Sequence, residues 1–424
     1  MDINNLSISR AKELKEKTKE FRKFKLGQIG VIEKRYQHYL SQKQRLLKYF
    51  NATNEDWNNW HWQVKNRIMD VETLGNFIPL SKNEYSEIRQ VALLNRFAIN
   101  PYYLALVCED EGPIRSLSIP SIKEILSNDG VLDPMDEEHT NPAGSITRRY
   151  PDRLIINVTN QCSMYCRHCQ RRRLIDETDK QTPLNKIEDS IEYIRRNEEV
   201  RDILLTGGDA LLLSNNHLEY ILKELRKIPH VEIIRIGTRT PVTMPMRITD
   251  ELVNMIKKYH PIYLNVHYNH FYEVTPESKQ ACEKLSDNGI VVGNQAVLLK
   301  GINDDPFTMT LLNQKLLEAR VRPYYIFHAK DVKGTTHFIP RLEDGLKIIE
   351  FLRGNTSGLA IPTYIMNAPK GLGKVPLLPK YIHKTGKDTY TIRTWENKTF
   401  DYKEKWFHFS FLIHMILVTI YLIR

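Results

Sequence analysis

Cysteine is scarce in this chain: five occur in 424 residues, at Cys108, Cys162, Cys166, Cys169 and Cys282, and they form no even framework. That excludes a small secreted fold stapled by disulfides and points to a reducing compartment. The start, Met1-Asp2-Ile3-Asn4-Asn5, has no apolar stretch of the kind a secretory leader needs, so a cytoplasmic protein is expected. Long apolar runs are missing until residue 406. From there eighteen residues, between Lys405 and Arg424, contain no Asp, Glu, Lys or Arg. That length suits a membrane span, but His408 and His414 sit badly in one. The readings for the tail 406–424 are a packed helix or subunit contact, a membrane anchor, or the translated remnant of a frameshifted or truncated gene; a membrane role is the least expected. Acidic residues are outnumbered, 51 against 61 Lys and Arg, giving a net charge of +10. The densest basic run, Lys12 to Lys25, reads as a solvated helix with charges on both sides of its wheel. Neither an RNA-binding motif nor an aromatic platform accompanies it, so no nucleic-acid partner is expected. A basic balance also suits a protein that holds anionic ligands.

The remaining composition, 41% hydrophobic and 26% charged, is that of a globular chain with a large core. Residues 1–145 read as mostly helical, with helix starts at Asn54 before Asp56 and at Ser81 before Glu84. Trp57 and Trp60, three apart, are expected on one helical face, packed with Trp62 nearby. Asp133 to Ser145 reads as an irregular connection. From about Ile146 the pattern changes to short apolar runs separated by amphipathic helices: Leu154–Val158, Ile203–Leu205, Ile233–Ile236, Tyr263–Val266, Val291–Val297, Pro323–Phe327 and Ile361–Met366. Such alternation predicts an α/β fold with parallel strands and crossover helices over 146–380. Residues 381–405 form a C-terminal extension ahead of the apolar tail 406–424. Seven strands are fewer than the eight a closed barrel needs.

Three motifs carry chemistry. In Asn160-Gln161-Cys162-Ser163-Met164-Tyr165-Cys166-Arg167-His168-Cys169, three thiols at spacings of four and three follow a predicted strand. They can hold three irons of a four-iron cluster and leave the fourth open to a small molecule. The alternative, structural zinc, wants a fourth ligand, for which His168 is the nearest candidate. In Leu205-Thr206-Gly207-Gly208-Asp209-Ala210, paired glycines permit close backbone approach, and Asp209 with exposed main-chain groups can bind a charged amino terminus. Asn367-Ala368-Pro369-Lys370-Gly371-Leu372-Gly373-Lys374 is a glycine-bearing loop with two lysines. His267 and His270 lie three apart at a strand end without a carboxylate or third ligand, and read as pocket or core residues rather than metal ligands.

With Gln170 and Arg171-Arg172-Arg173 behind it, the cysteine motif resembles that of the radical S-adenosylmethionine (SAM) enzymes, and within them the lysine 2,3-aminomutase group; further matches run from about Trp57 to Thr394. The resemblance implies an incomplete parallel β/α barrel, open on one side. It implies a [4Fe-4S] cluster on Cys162, Cys166 and Cys169, and SAM at Gly207, Gly208 and Asp209. A second cofactor, pyridoxal 5'-phosphate, is implied at Lys374, with Arg149 and Arg153 at its phosphate and Gln295 in its pocket. The family motif puts the cofactor lysine seven residues after Asn367, and Lys370 stands where the family usually has glycine. Arg171 matches the position that binds the substrate α-carboxylate.

Lys330 and Asn367 stand where the lysine enzymes place two aspartates against the substrate ammonium. This is the replacement found in the glutamate-acting branch, and it implies conversion of L-glutamate to β-glutamate. A one-residue slip toward Asp331 would restore an acid. Conversion of L-lysine to β-lysine, modification of a protein lysine, and a non-enzymatic zinc-binding, nucleic-acid-associated role are the alternatives. The resemblance also implies an electron donor such as flavodoxin or ferredoxin, and a homo-oligomer. The lysine enzymes carry a structural zinc on cysteines that this chain lacks after Cys282, so no zinc is expected.

Overall fold

The computed structural model describes residues 3–108, 112–127, 129–175 and 178–404. The chain forms two compact units, the first ending at Leu377 and the second beginning at Leu378. The apolar tail 406–424 lies outside the described residues. No described helix is long and apolar enough to cross a membrane.

The first unit is built on one nine-stranded sheet: β1 (Ile146–Arg148), β2 (Arg153–Thr159), β3 (Asp202–Gly207), β4 (Ile233–Gly237), β5 (Ile262–Val266), β6 (Val291–Leu298), β7 (Arg322–His328), β8 (Thr363–Asn367) and β9 (Lys374–Pro376). The strands lie side by side in chain order. β2 to β8 are the seven strands read from the sequence, all parallel. Antiparallel β1 and β9 border them. They stand at opposite ends of the order, so the barrel stays open.

Helices return the chain from strand to strand and bury one stripe each. Leu184–Arg196 buries Ile187, Ile191 and Ile194, and Asn215–Arg226 buries Leu218, Ile221, Leu222 and Leu225. Those spacings of three and four are the amphipathic period of a helix laid on a sheet. Each such side chain contributes roughly 1.5–3 kcal/mol by leaving water.

The N-terminal helices share this core. Lys19–Tyr49 buries Phe21, whose ring meets Phe307 and Phe351 edge-on at 5.7 and 6.3 Å. Ser81 caps Lys82–Leu94 in a reciprocal box with Glu84. The other predicted start is displaced by one residue: Thr53 caps Asn54–Asn58, reciprocally with Asp56. A break at Asn59, which caps the next helix, also separates Trp57 from Trp60. The buried Trp57 therefore packs against Trp62, with ring centroids 6.2 Å apart, while Trp60 lies under the Arg247 guanidinium.

The second unit is an antiparallel meander, β10 (Ile382–Lys384), β11 (Thr389–Arg393) and β12 (Thr399–Lys403).

Candidate active site

A cavity of about 290 Å³ takes its walls from the C-terminal ends of the parallel strands and the loops beyond them. Open α/β sheets bind ligands at that end. The cavity brings together the three loop cysteines, Gly207, Gly208, Asp209, Arg149, Gln295, Arg171, Lys330, Asn367 and Lys374. Of the residues expected to bind cluster, cofactor or substrate, Arg153 does not line it. Its guanidinium is drawn to Asp152 at 2.9 Å and lies 3.8 Å over the Tyr150 ring. Arg235, on β4, lines the cavity instead, held to Asp202 by a 2.7 Å hydrogen bond.

The cysteine loop leaves β2 and is pinned from below. Tyr165 and Arg167 donate their amides to the carbonyls of Ala98 and Leu117, both at 3.0 Å. The Arg167 side chain, 2% exposed, makes a forked pair with the buried Glu124 carboxylate at 2.8 and 2.6 Å, and Arg172 adds a third donor at 2.5 Å. Burial pushes the Cys162 and Cys169 thiols up from their ordinary range. Arg239 points Nη1 at the Cys166 Sγ and is itself paired with the buried Glu273 at 2.6 Å. Among the described residues no three His, Cys, Asp or Glu side chains group so as to hold a metal ion. Three thiols from one loop lining the cavity are a donor set for a polynuclear iron-sulfur cluster, in which separate irons take separate thiolates. His168, the candidate fourth zinc ligand, lines the same cavity with Nδ1 unpartnered.

The glycine pair does more than leave room for a ligand. A Cβ on Gly207 would lie 2.3 Å from the Thr159 carbonyl oxygen, and one on Gly208 2.4 Å from that of Gln161. The end of β3 can therefore lie against the start of the cysteine loop only without side chains. Asp209, expected to offer its carboxylate to a ligand, accepts from the Leu211 amide, the Thr238 hydroxyl and the Arg239 amide. Its carboxylate ties the end of β3 to the end of β4 while lining the cavity.

At the other end, Lys374 opens β9 with its Nζ 4.9 Å from the Tyr325 ring centre and 5.6 Å from that of Phe327. Burial, and then the charges of Arg235 and Arg153, lower its amine to about 8. Gly371 (φ +72°) packs on Arg149; a Cβ there would meet the Arg149 Cδ at 3.1 Å. Lys370 occupies the left-handed region at φ 56°, ψ 31°, which explains why glycine suits that position. Arg149 Nε is buried with no partner, an orphaned donor of the kind an anionic ligand satisfies. These features fit a phosphorylated aldehyde: an amine of reduced basicity beside an unsatisfied guanidinium.

Lys330 follows β7 and donates to the Gln170 side-chain carbonyl. Burial, then the Arg171 charge, lowers its amine to about 7. Asp331 is exposed and does not line the cavity, so the chain's register puts the cation inside. His270 is buried and His267 half-buried, their rings lowered to about 3 and 4 chiefly by desolvation, and His267 Nδ1 lies 3.0 Å from the Gln295 carbonyl oxygen. They are pocket and core residues.

Residues 156–312 match the Radical SAM superfamily, and residues 349–407 match the family described as Lysine-2,3-aminomutase. The chain is 56% identical over 395 residues to the glutamate 2,3-aminomutase of Clostridioides difficile, covering 93% of each chain. It belongs to the radical SAM 2,3-aminomutases. The L-lysine 2,3-aminomutase of Fusobacterium nucleatum is 49% identical, covering 84% of this chain and 85% of that one, and the enzyme of Clostridium subterminale 46%, covering 86% and 88%. Membership makes the protein an isomerase that works with a [4Fe-4S] cluster, SAM and pyridoxal phosphate. Three charged cavity residues escaped the sequence reading. Arg235 and Arg239 are inconspicuous charges on β4 and just beyond it, and Glu137 lies in a stretch with no periodicity to mark it.

Proposed function

We propose that this aminomutase converts L-glutamate to β-glutamate. The observation that carries the proposal is the charge around the cavity. Among the described residues its carboxylates are Glu137 and Asp209, facing Arg149, Arg171, Arg235, Arg239, Lys330 and Lys374. Both acids are engaged, Asp209 by the loops after β3 and β4 and Glu137 by Arg149 and Arg171. A lysine substrate would bring its ammonium to Lys330 with no carboxylate to receive it, a penalty of roughly several kcal/mol for a buried unpaired charge. A second substrate carboxylate reverses the sign. Lys330 pairs with it, and the Asn367 amide donates a hydrogen bond. Arg171 takes the α-carboxylate common to all such substrates.

When bound, the cluster, SAM and pyridoxal phosphate together supply the electron, the hydrogen-abstracting carbon radical and the electron sink on the substrate nitrogen. The chain's own residues place them. Cys162, Cys166 and Cys169 hold the cluster, and Gly207, Gly208 and Asp209 shape the wall for SAM. Lys374 holds the cofactor aldehyde. Arg149, with Arg153 contributing charge from outside the cavity, receives its phosphate, and Gln295 lines the same cavity. A cytoplasmic setting, a one-electron donor such as flavodoxin or ferredoxin, and a homo-oligomer complete the proposal.

The test is the Lys330→Asp, Asn367→Asp double variant, incubated anaerobically with dithionite and all cofactors. Its preference should shift from glutamate toward lysine by about two orders of magnitude or more; an unchanged preference would count against these two residues as the selector.

A further inference from the structure

Glu137 lines the cavity and bridges Arg171, at the substrate α-carboxylate subsite, to Arg149, at the cofactor-phosphate subsite. Its side chain is 8% exposed. It takes Nε and Nη2 of Arg171 at 3.2 and 3.0 Å, and Nη2 of Arg149 at 3.1 Å. Its own amide is anchored to Asp133 Oδ2 at 2.8 Å, and Asp133 in turn pairs with Arg173 at 2.6 Å. The carboxylate is therefore fixed from its backbone, and the two arginines converge on it from different elements. The charges of Arg171 and Arg149 hold it well below the usual carboxylate range despite burial, to about 2.

The geometry at Arg171 defines what this achieves. A guanidinium has two edges that can fork onto a carboxylate, one made by Nε with an Nη and one made by the two Nη atoms. Glu137 occupies the first. Nη1 has no protein partner among the described residues, so the second edge is left for a ligand. On the reading of Arg171 as the α-carboxylate site, we propose that Glu137 is a positioning residue: it fixes the Arg171 guanidinium with its Nη edge toward the substrate α-carboxylate and, through Arg149, links that subsite to the cofactor-phosphate subsite. A free arginine would sample many rotamers, and ordering it on binding costs affinity.

The test measures binding without turnover. Pyridoxal phosphate is titrated into the protein, and amino acid is then titrated against the cofactor absorbance with no SAM present. Glu137→Gln should weaken amino-acid binding about tenfold and weaken cofactor binding as well. Because Glu137 acts through Arg171, adding Glu137→Gln to Arg171→Gln should weaken amino-acid binding no more than about twofold beyond Arg171→Gln alone. Full multiplication of the two effects, or unchanged binding of both ligands in Glu137→Gln, overturns the proposal. If Glu137→Gln does not fold, Glu137→Asp retains the charge but withdraws the carboxylate by one methylene, and must show the same paired loss; normal binding of both ligands overturns the proposal equally. Glutamate and lysine are both titrated, since they share the α-carboxylate. Tight lysine and weak glutamate binding in the unaltered protein would contradict the substrate assignment while leaving the Glu137 comparison readable with lysine.

Discussion

The two ends of the cavity are built on opposite principles. Around the cysteine loop, charges are matched before any ligand arrives: Arg167 and Glu124, 2% and 1% exposed, complete one another, Arg172 joins them, and Arg239 lies on Glu273. At the substrate end cations outnumber the one carboxylate, Glu137, that Arg149 and Arg171 share. Arg149 keeps an orphaned donor, and Lys330 and Lys374 have amines lowered to about 7 and 8 by burial among other cations. Matched charge gives rigidity, which a cluster loop needs in order to present three thiols together. Unmatched positive charge is a stored demand for anions, which a phosphate and a dicarboxylic amino acid supply.

The largest effect should come from the thiols. Cys162→Ala, Cys166→Ala or Cys169→Ala is expected to abolish turnover and strip iron, whereas Cys108→Ala and Cys282→Ala should retain both, since only the three loop thiols line the cavity. Iron and sulfide analysis of anaerobically reconstituted protein checks this. At the other end, Lys374→Ala should remove the cofactor that borohydride fixes to the protein, while Lys370→Gly should leave it in place, because Lys370 does not line the cavity. Peptide mapping of the reduced protein distinguishes them.

The comparison can also be broken by stability. Glu124→Gln leaves the buried Arg167 and the half-buried Arg172 without their carboxylate and should destabilise by about 3–5 kcal/mol. Lys330→Met removes an unmatched cation and should stabilise by about 1 kcal/mol while impairing glutamate binding. Denaturant titration of both variants reads the signs, which should be opposite.

The smallest effect is pH dependence. Lys330 must be charged to hold a carboxylate, and its amine loses the proton as pH rises through about 7, so KM for glutamate should rise above that pH. Lys374 must be neutral to capture the cofactor aldehyde, and its neutral fraction grows as pH rises through about 8, so the rate of cofactor uptake should rise over the same range. Glutamate affinity should therefore fall, and cofactor uptake quicken, as pH rises.

The parallel strands were legible because each is a short apolar run long enough to show a pattern; the seven runs are β2 to β8. The edge strands were not. Ile146–Arg148 is three residues long, and β9 is three residues next to glycine and ending in proline. The short strands of the second unit, β10 to β12, are largely exposed, so no hydrophobic alternation announced them. In the site, residues fixed by spacing within a motif were found from sequence. Glu137 could not be, because its meaning lies in contacts with Arg149 and Arg171 across 12 and 34 residues of chain. Arg153 shows the converse: a motif position suggests a role, but only the structure shows its side chain turned to Tyr150 and Asp152.

The central claim is that unmatched cations at the substrate end select a second carboxylate. Its most direct measurement is kcat/KM for L-glutamate and L-lysine side by side, with the unaltered protein, reduced anaerobically and supplied with SAM and pyridoxal phosphate. Glutamate should be preferred by about a hundredfold or more, as expected when one substrate gains a counter-ion where the other meets a like charge. Equal turnover, or a preference for lysine, would contradict it.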